Sequence, residues 1–184
     1  MSYRVEDVVY YVVKRLGEVN GIKKLMKLVF LLQYEARPRL GRRIVVKYLY
    51  EGQPVARSEF YIWSFGPMSN EVYDAVEALE NEGLLETSLG DYIKIITKGE
   101  KAFELPPPVA RRVDEVAERY GRRRGWELEK VVNKMLKLDV EKKNEYMGFP
   151  VDKYLELEGL KLEMRELAHG RVETKPRRPP SGQY

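Results

Sequence analysis

The stretch from Trp63 to Phe103 constrains the fold more tightly than any other part of the chain. Phe65-Gly66-Pro67 requires a chain reversal, because glycine accepts positive φ while proline fixes φ and bars a continuing central strand. Ser69 suits the N-cap of a helix, its hydroxyl able to accept a free backbone N–H of the first turn. Val72, Ala75, Val76 and Leu79 then fall at i, i+3, i+4 and i+7, which predicts one buried stripe on a helix from Ser69 to Glu82. Gly83 sits where such a helix stops in the left-handed conformation. Leu84 to Thr87 reads as a strand, Leu89-Gly90-Asp91 as a turn and Tyr92 to Ile96 as the return strand. Thr97-Lys98-Gly99-Glu100 has the S/T-x-x-E form of a capping box, which predicts a further helix carrying Ala102 and Phe103.

Helix, two-stranded wing, helix is the order of a winged helix-turn-helix. The segment resembles the "EGLL, hairpin, IT-x-KG" half of many such domains, most of which bind DNA. Upstream, Val5, Val8, Val9, Val12 and Leu16 mark an amphipathic helix ending near Gly17 to Gly21. Asn20 is placed to cap a second helix, whose Ile22, Leu25, Met26, Val29, Phe30 and Leu32 form a broad apolar face. Lys23, Lys24 and Lys27 lie off most of that face, as a solvated basic edge or as phosphate contacts. Ile44 to Tyr50 is β-branched and aromatic, a strand, followed by a turn at Glu51-Gly52-Gln53-Pro54 and a paired return strand over Arg57 to Trp63. The aromatic side chains here, Tyr48, Tyr50, Phe60, Tyr61 and Trp63, read either as cover for a sheet face or as a base-stacking platform. The class is therefore α+β, a winged-helix-like domain with an additional β-hairpin, followed by a helical C-terminal extension.

Pro106-Pro107-Pro108 is a rigid punctuation mark and places a domain boundary after residue 105. Val109, Val113, Val116 and Tyr120 predict a helix in the extension. It is interrupted by Gly121-Arg122-Arg123-Arg124-Gly125, three adjacent cations between two glycines with Arg111, Arg112 and Arg119 nearby. That loop reads as a grip on phosphates or an acidic partner, or as a basic helix connection with no ligand. Trp126, as a packing anchor, opens a helix with Val131, Val132, Met135 and Leu138, and a last helix is expected from Val151 to Ala168. Residues 106–173 form the extension, and residues 174–184, with Lys175, Arg177 and Arg178 among prolines, read as a disordered basic tail.

The 184 residues carry a formal net charge of +4, compatible with nucleic acid without requiring it. Cysteine is absent, so disulfides and thiolate metal sites are excluded. The one histidine, His169, has no evident partner for a metal site or a catalytic triad, and neither a Walker A motif nor G-x-G-x-x-G occurs. Carboxylates are plentiful, but no pair stands in an apolar setting that would mark an acid and a base. No cofactor is implied, and catalysis is not expected; a carboxylate-only metal enzyme is the third and weakest class. The apolar run Leu25 to Leu32 is broken by Lys27 and too short to cross a bilayer, and the N-terminus lacks a signal-peptide pattern, which points to the cytoplasm. Scarce glutamine with abundant Lys, Arg, Glu and Val suggests a thermophile.

Two segments are more specific. Ile22-Lys23-Lys24-Leu25-Met26-Lys27-Leu28-Val29-Phe30-Leu31-Leu32 and Phe60-Tyr61-Ile62-Trp63-Ser64-Phe65-Gly66-Pro67-Met68-Ser69-Asn70-Glu71-Val72-Tyr73 resemble, in order and spacing, the "KL-x-KLLYL" helix and the "F-x-x-W-x-YGP-x-x-x-x-VY" segment of Panacea-domain proteins, the SocA-like antitoxin family. The similarity covers roughly residues 1–105. It implies an antitoxin or adaptor that neutralises a toxin or delivers it to a protease. Phe65, Gly66 and Pro67 would then stand at the hallmark turn, and Lys24, Leu25 and Leu28 on the hallmark helix. The leading expectation is a non-enzymatic regulator that binds DNA or a protein partner. For DNA, the Ser69–Glu82 helix would offer Asn70, Tyr73, Asp74 and Glu77, an acidic face that phosphates repel. The wing adds only Lys94 and Lys98, so Arg122, Arg123, Arg124, Lys23, Lys24 and the tail would supply most contacts. For a protein-interaction module of antitoxin type, the acidic helix and the aromatic hairpin would face a partner or a second copy of the chain.

Overall fold

The computed structural model describes residues 2–90 and 93–168. In chain order the elements are α1 (Val5–Leu16), β1 (Glu18–Val19), α2 (Ile22–Gln33), β2 (Tyr34–Arg39), β3 (Arg42–Tyr50), β4 (Gln53–Pro54), β5 (Tyr61–Trp63), β6 (Gly66–Met68), α3 (Asn70–Asn81), β7 (Leu85–Leu89), β8 (Ile93–Thr97), α4 (Pro107–Tyr120), α5 (Gly125–Met135), α6 (Val140–Glu145), α7 (Val151–Leu157) and β9 (Leu162–Glu166). The protein is α+β.

The winged-helix-like part is α1, β1, α2, α3 and the β7–β8 wing, with β1 completing a three-stranded antiparallel sheet in the order β1-β8-β7. Val72, Ala75, Val76 and Leu79 are the buried side chains of α3, the stripe their spacing calls for, and Gly83 ends that turn at φ 73°. Residues 34–69 are inserted between α2 and α3. They hold three strands of a second sheet, in which β3 runs antiparallel to β2 and β4 and parallel to β9 from the end of the described chain, and the small β5–β6 hairpin. Both turns flanking β3 are two-residue loops at positive φ, Leu40-Gly41 and Glu51-Gly52, a geometry matched to the twist of the strands they join.

The core is organised around α2. Leu25, Met26 and Leu28 to Leu32 are all buried, because α1, α3, α4 and α5 surround this helix. One apolar cluster of buried side chains runs from Tyr3 to Leu155 and takes in Val109, Val113, Val116, Leu128 and Val132 from the helices after Pro106. Phe30 stacks on Tyr34 at 4.7 Å and meets the edge of Phe60 at 5.1 Å, which joins α2 to the inserted sheet.

Several local expectations are corrected. No helix forms from Thr97 to Phe103. The Tyr10 hydroxyl donates to Gly99 O at 2.7 Å and accepts from Lys101 N at 3.2 Å, holding this backbone extended, and the helix starts instead with prolines at Pro107 and Pro108. Arg57 to Trp63 is not the return strand of β3. Gln53 and Pro54 pair with β3, whereas Tyr61–Trp63 pairs with Gly66–Met68. The partners of β3 are β2, a strand not anticipated in the charged Tyr34–Arg39 run, and β9. The helix expected from Val151 to Ala168 stops at Leu157, where Gly159 takes φ 67°, and the chain turns into β9. Gly21, not Asn20, is the N-cap of α2. Ser69 holds the N-cap position of α3, but its hydroxyl donates to Glu71 rather than accepting a helix N–H. Trp126 is not an anchor: it is exposed on α5 with the Lys130 ammonium 5.0 Å from its ring centre. His169, the 174–184 tail and Asp91-Tyr92 of the wing turn lie outside the described residues.

Candidate functional site

The β5–β6 hairpin presents aromatic side chains to solvent. Ser64 and Phe65 form its tip, one residue ahead of the expected reversal, and Trp63 and Phe65 are 44% and 60% exposed. With Tyr73 of α3, also 44% exposed, they rim a cleft of 140 Å³ that Met26, Pro67 and Met68 line as well. Gly66 is required here twice over. Its φ is 93°, and a Cβ would lie 2.6 Å from Asn133 Oδ1 of α5. That Asn133 oxygen is buried with no hydrogen-bond partner among the described residues.

Lys27 lies under the cleft. It is 2% exposed and donates from Nζ to Pro67 O at 2.9 Å. Its pKa is lowered to about 7, chiefly by burial; the Glu129 carboxylate opposes the shift and the Lys23 and Lys143 charges add to it. Lys24 is also buried, donates to Gly121 O at 2.6 Å and is shifted down by burial, with Glu18 opposing. Lys23 pairs with Glu129 and stands 4.6 Å from the centre of the Phe65 ring. Of the basic edge expected on α2, Lys24 and Lys27 are therefore not solvated, and Lys23 alone stays partly exposed. The stripe face packs on α1 and α3 while α5 and β6 cover the opposite side, so Lys24 and Lys27 serve backbone carbonyls. Leu25 and Leu28 are core residues, and Gly66 and Pro67 are buried beneath the exposed Phe65.

The other expected contacts are scattered. Arg122, Arg123 and Arg124 are exposed on the α4–α5 connection, which the Lys24 bond ties to the start of α2. Asn70, Tyr73, Asp74 and Glu77 are exposed on α3, as expected of its outer face. Lys94 on the wing is 3.6 Å from Glu18, and Lys98 is exposed at the wing's base. Of the aromatic set, Tyr48, Tyr50 and Phe60 are buried, which removes them from any stacking platform, and only Trp63 is well exposed. Met26, Glu129 and Asn133 are the site residues sequence reasoning did not single out, and none left a functional signal; Trp63 stands only among the aromatic set and Lys27 only on the basic edge.

At the far end of α2, Arg112 of α4 is 7% exposed and donates to Leu31 O at 2.8 Å and Leu32 O at 3.0 Å. Its guanidinium is 3.7 Å from Glu35 and stacks 4.3 Å from the Tyr48 ring centre. Burial pushes the Glu35 carboxyl up, but the Tyr48 hydroxyl and the Arg112 and Arg37 charges outweigh it, so its pKa is lowered on balance.

Among the described residues no group of three or more His, Cys, Asp or Glu side chains is placed to hold a metal ion. No described helix is long and apolar enough to cross a membrane. Comparison with family profiles, with curated proteins and with solved structures returned no match.

Proposed function

We propose that the chain is a non-enzymatic regulatory protein that binds a protein partner through the cleft between the β5–β6 hairpin and α3. The observation that carries this reading is the grouping of Trp63, Phe65 and Tyr73, each more than two-fifths exposed, around one concave site. Isolated exposed aromatics are ordinary, but several converging on a cleft have the composition of an interface centre, where Trp, Tyr and Phe dominate the binding energy. The acidic α3 beside it, with Asp74 and Glu77 exposed, opposes the approach of a phosphate backbone and suits a basic segment on a partner. The similarity to Panacea-domain proteins supports the same reading, in which partner capture serves to neutralise or deliver that partner.

One observation favours a second reading, nucleic-acid binding. The N-terminal ends of α2 and α5 lie together, a Cβ on Gly125 falling 3.5 Å from Lys24 N, and the exposed Arg122, Arg123 and Arg124 sit at that junction. Positive helix ends and arginines there add to one potential. The two readings separate on random duplex DNA across a salt series, with Arg122/Arg123/Arg124→Ala beside Trp63→Ala/Tyr73→Ala. Partner binding predicts no DNA affinity beyond a weak background. Affinity of about 10⁻⁴ to 10⁻⁶ M that falls steeply with salt, and is lost in the arginine variant, would support DNA instead.

A further inference from the structure

We infer that the free edge of β9 is a self-association surface, on which a second copy of this chain adds its own β9 in antiparallel register about a two-fold axis at Met164. Strand β9 pairs with β3 along one side, and among the described residues no strand lies on the other. The bonds Val45 N to Lys161 O at 2.9 Å and Leu167 N to Leu49 O at 2.7 Å set the alternation of its backbone groups. Odd-numbered positions turn their N–H and C=O to β3, so Leu162, Met164 and Glu166 turn theirs outward. An unpaired row of this kind is a template for another strand.

Within Leu162-Glu163-Met164-Arg165-Glu166 the inner pair, Glu163 and Arg165, is complementary about Met164; within one chain the two lie 3.1 Å apart, and Arg39 also meets Glu163. In the two-fold register Met164 faces Met164 of the second copy, and Leu162 faces Glu166, all positions whose backbone groups are free to exchange hydrogen bonds. Glu163 then faces Arg165 in the non-hydrogen-bonded positions, where side chains of an antiparallel pair come closest. Charges on an edge strand ordinarily discourage pairing. Here the two-fold axis makes them attract.

The face of β9 that carries Leu162 and Met164 adds apolar area. Met164 and Leu157 are each 51% exposed, and a 560 Å³ trough between α7 and β9 is lined by Leu160, Leu162, Met164 and Pro150 among others. A two-fold axis perpendicular to the sheet keeps both copies of α7 on one face, so the two Met164 side chains fill the space between the troughs. The result is a continuous sheet running through β3 and β9 of both copies, an isologous interface. This surface is separate from the Trp63 cleft, and neither proposal depends on the other.

The test uses the full chain in sedimentation velocity. The wild type is expected to sediment at twice the chain mass at micromolar concentration. Met164→Pro is expected to halve that mass while leaving the β3–β9 pairing intact, because the N–H it removes points outward. Glu163→Arg and Arg165→Glu are each expected to be monomeric, and their equimolar mixture to form a heterodimer, since Arg then faces Glu at both positions. Should a charge variant fail to fold, amide exchange of the wild type decides the matter without substitution: the Met164 amide is expected to be protected at high concentration and to exchange freely on dilution. A wild type that stays monomeric with an unprotected Met164 amide overturns the inference. So does a dimer that survives Met164→Pro, or a mixture of folded charge variants that stays monomeric.

Discussion

A cation is buried at the C-terminal end of α2 and another at its middle, and the two are treated in opposite ways. At the C-terminal end Arg112 caps the Leu31 and Leu32 carbonyls and has Glu35 3.7 Å away, so its charge is compensated, and the 220 Å³ cleft beside it is rimmed by further ion-pairing side chains, Arg37, Glu115 and Arg119. At mid-helix Lys27 has a carbonyl, Pro67 O, and lies beneath a cleft open to solvent; its pKa is lowered to about 7, chiefly by burial. The first arrangement is what a helix end needs in a core. The second groups an under-compensated lysine, the buried Asn133 Oδ1 without a partner and exposed aromatic rings in one place. On the proposed reading, the difference separates structural polarity from a surface kept for binding.

Substitutions can break or sharpen this contrast. The largest effect is expected for Arg112→Met, which strips two helix-end carbonyls of their donor and leaves Glu35 to Arg37 and Arg119. Urea denaturation should show a loss of about 3–5 kcal/mol. Lys27→Met should behave differently, acting on pH dependence more than on stability at one pH. The Lys27 pKa is below its unfolded value of 10.5, so between pH 7 and 10.5 the unfolded chain holds more protons and native stability rises with pH. Below pH 7 the buried charge is a full penalty. Denaturation midpoints across this window should climb for the wild type, by at most about 1.4 kcal/mol per pH unit, and flatten in Lys27→Met.

Smaller effects complete the series. Trp63→Ala and Phe65→Ala should each cost less than about 1 kcal/mol by the same denaturation assay, whereas the buried Phe30→Ala should cost about 3–5 kcal/mol. Comparable losses at Trp63 and Phe30 would make the hairpin aromatics core residues rather than an interface. Arg122/Arg123/Arg124→Ala should change stability least, within about 0.5 kcal/mol in thermal or chemical melts, since all three side chains are exposed.

Where local signals and tertiary packing agree, the sequence was legible. The α3 stripe, the Gly83 stop, the wing strands and the Val109-Val113-Val116 face follow from periodicity and turn chemistry. Expectations failed where a distant contact decided the outcome. The Thr97 capping box lost to a hydrogen bond from Tyr10, which is 89 residues from Gly99. Strand β9 could not be read from its own helical-looking pattern because its partner β3 lies more than a hundred positions away. The site was half legible. Phe65, Gly66, Pro67 and Tyr73 stood out by motif or helical face. Lys27 was placed on a solvated edge, since one helix's periodicity does not reveal that other helices cover its far side.

The most direct test of the central claim is comparative capture from an extract of the native host, with wild type, Trp63→Ala/Phe65→Ala and Arg122/Arg123/Arg124→Ala as baits, followed by titration of the purified partner. The cleft reading predicts a partner that binds the wild type and the arginine variant with equal affinity and is lost from the aromatic variant by a hundredfold or more, about 3 kcal/mol. Partners that ignore the aromatic substitutions, or that dissociate with the arginine variant and with nuclease treatment, would contradict it.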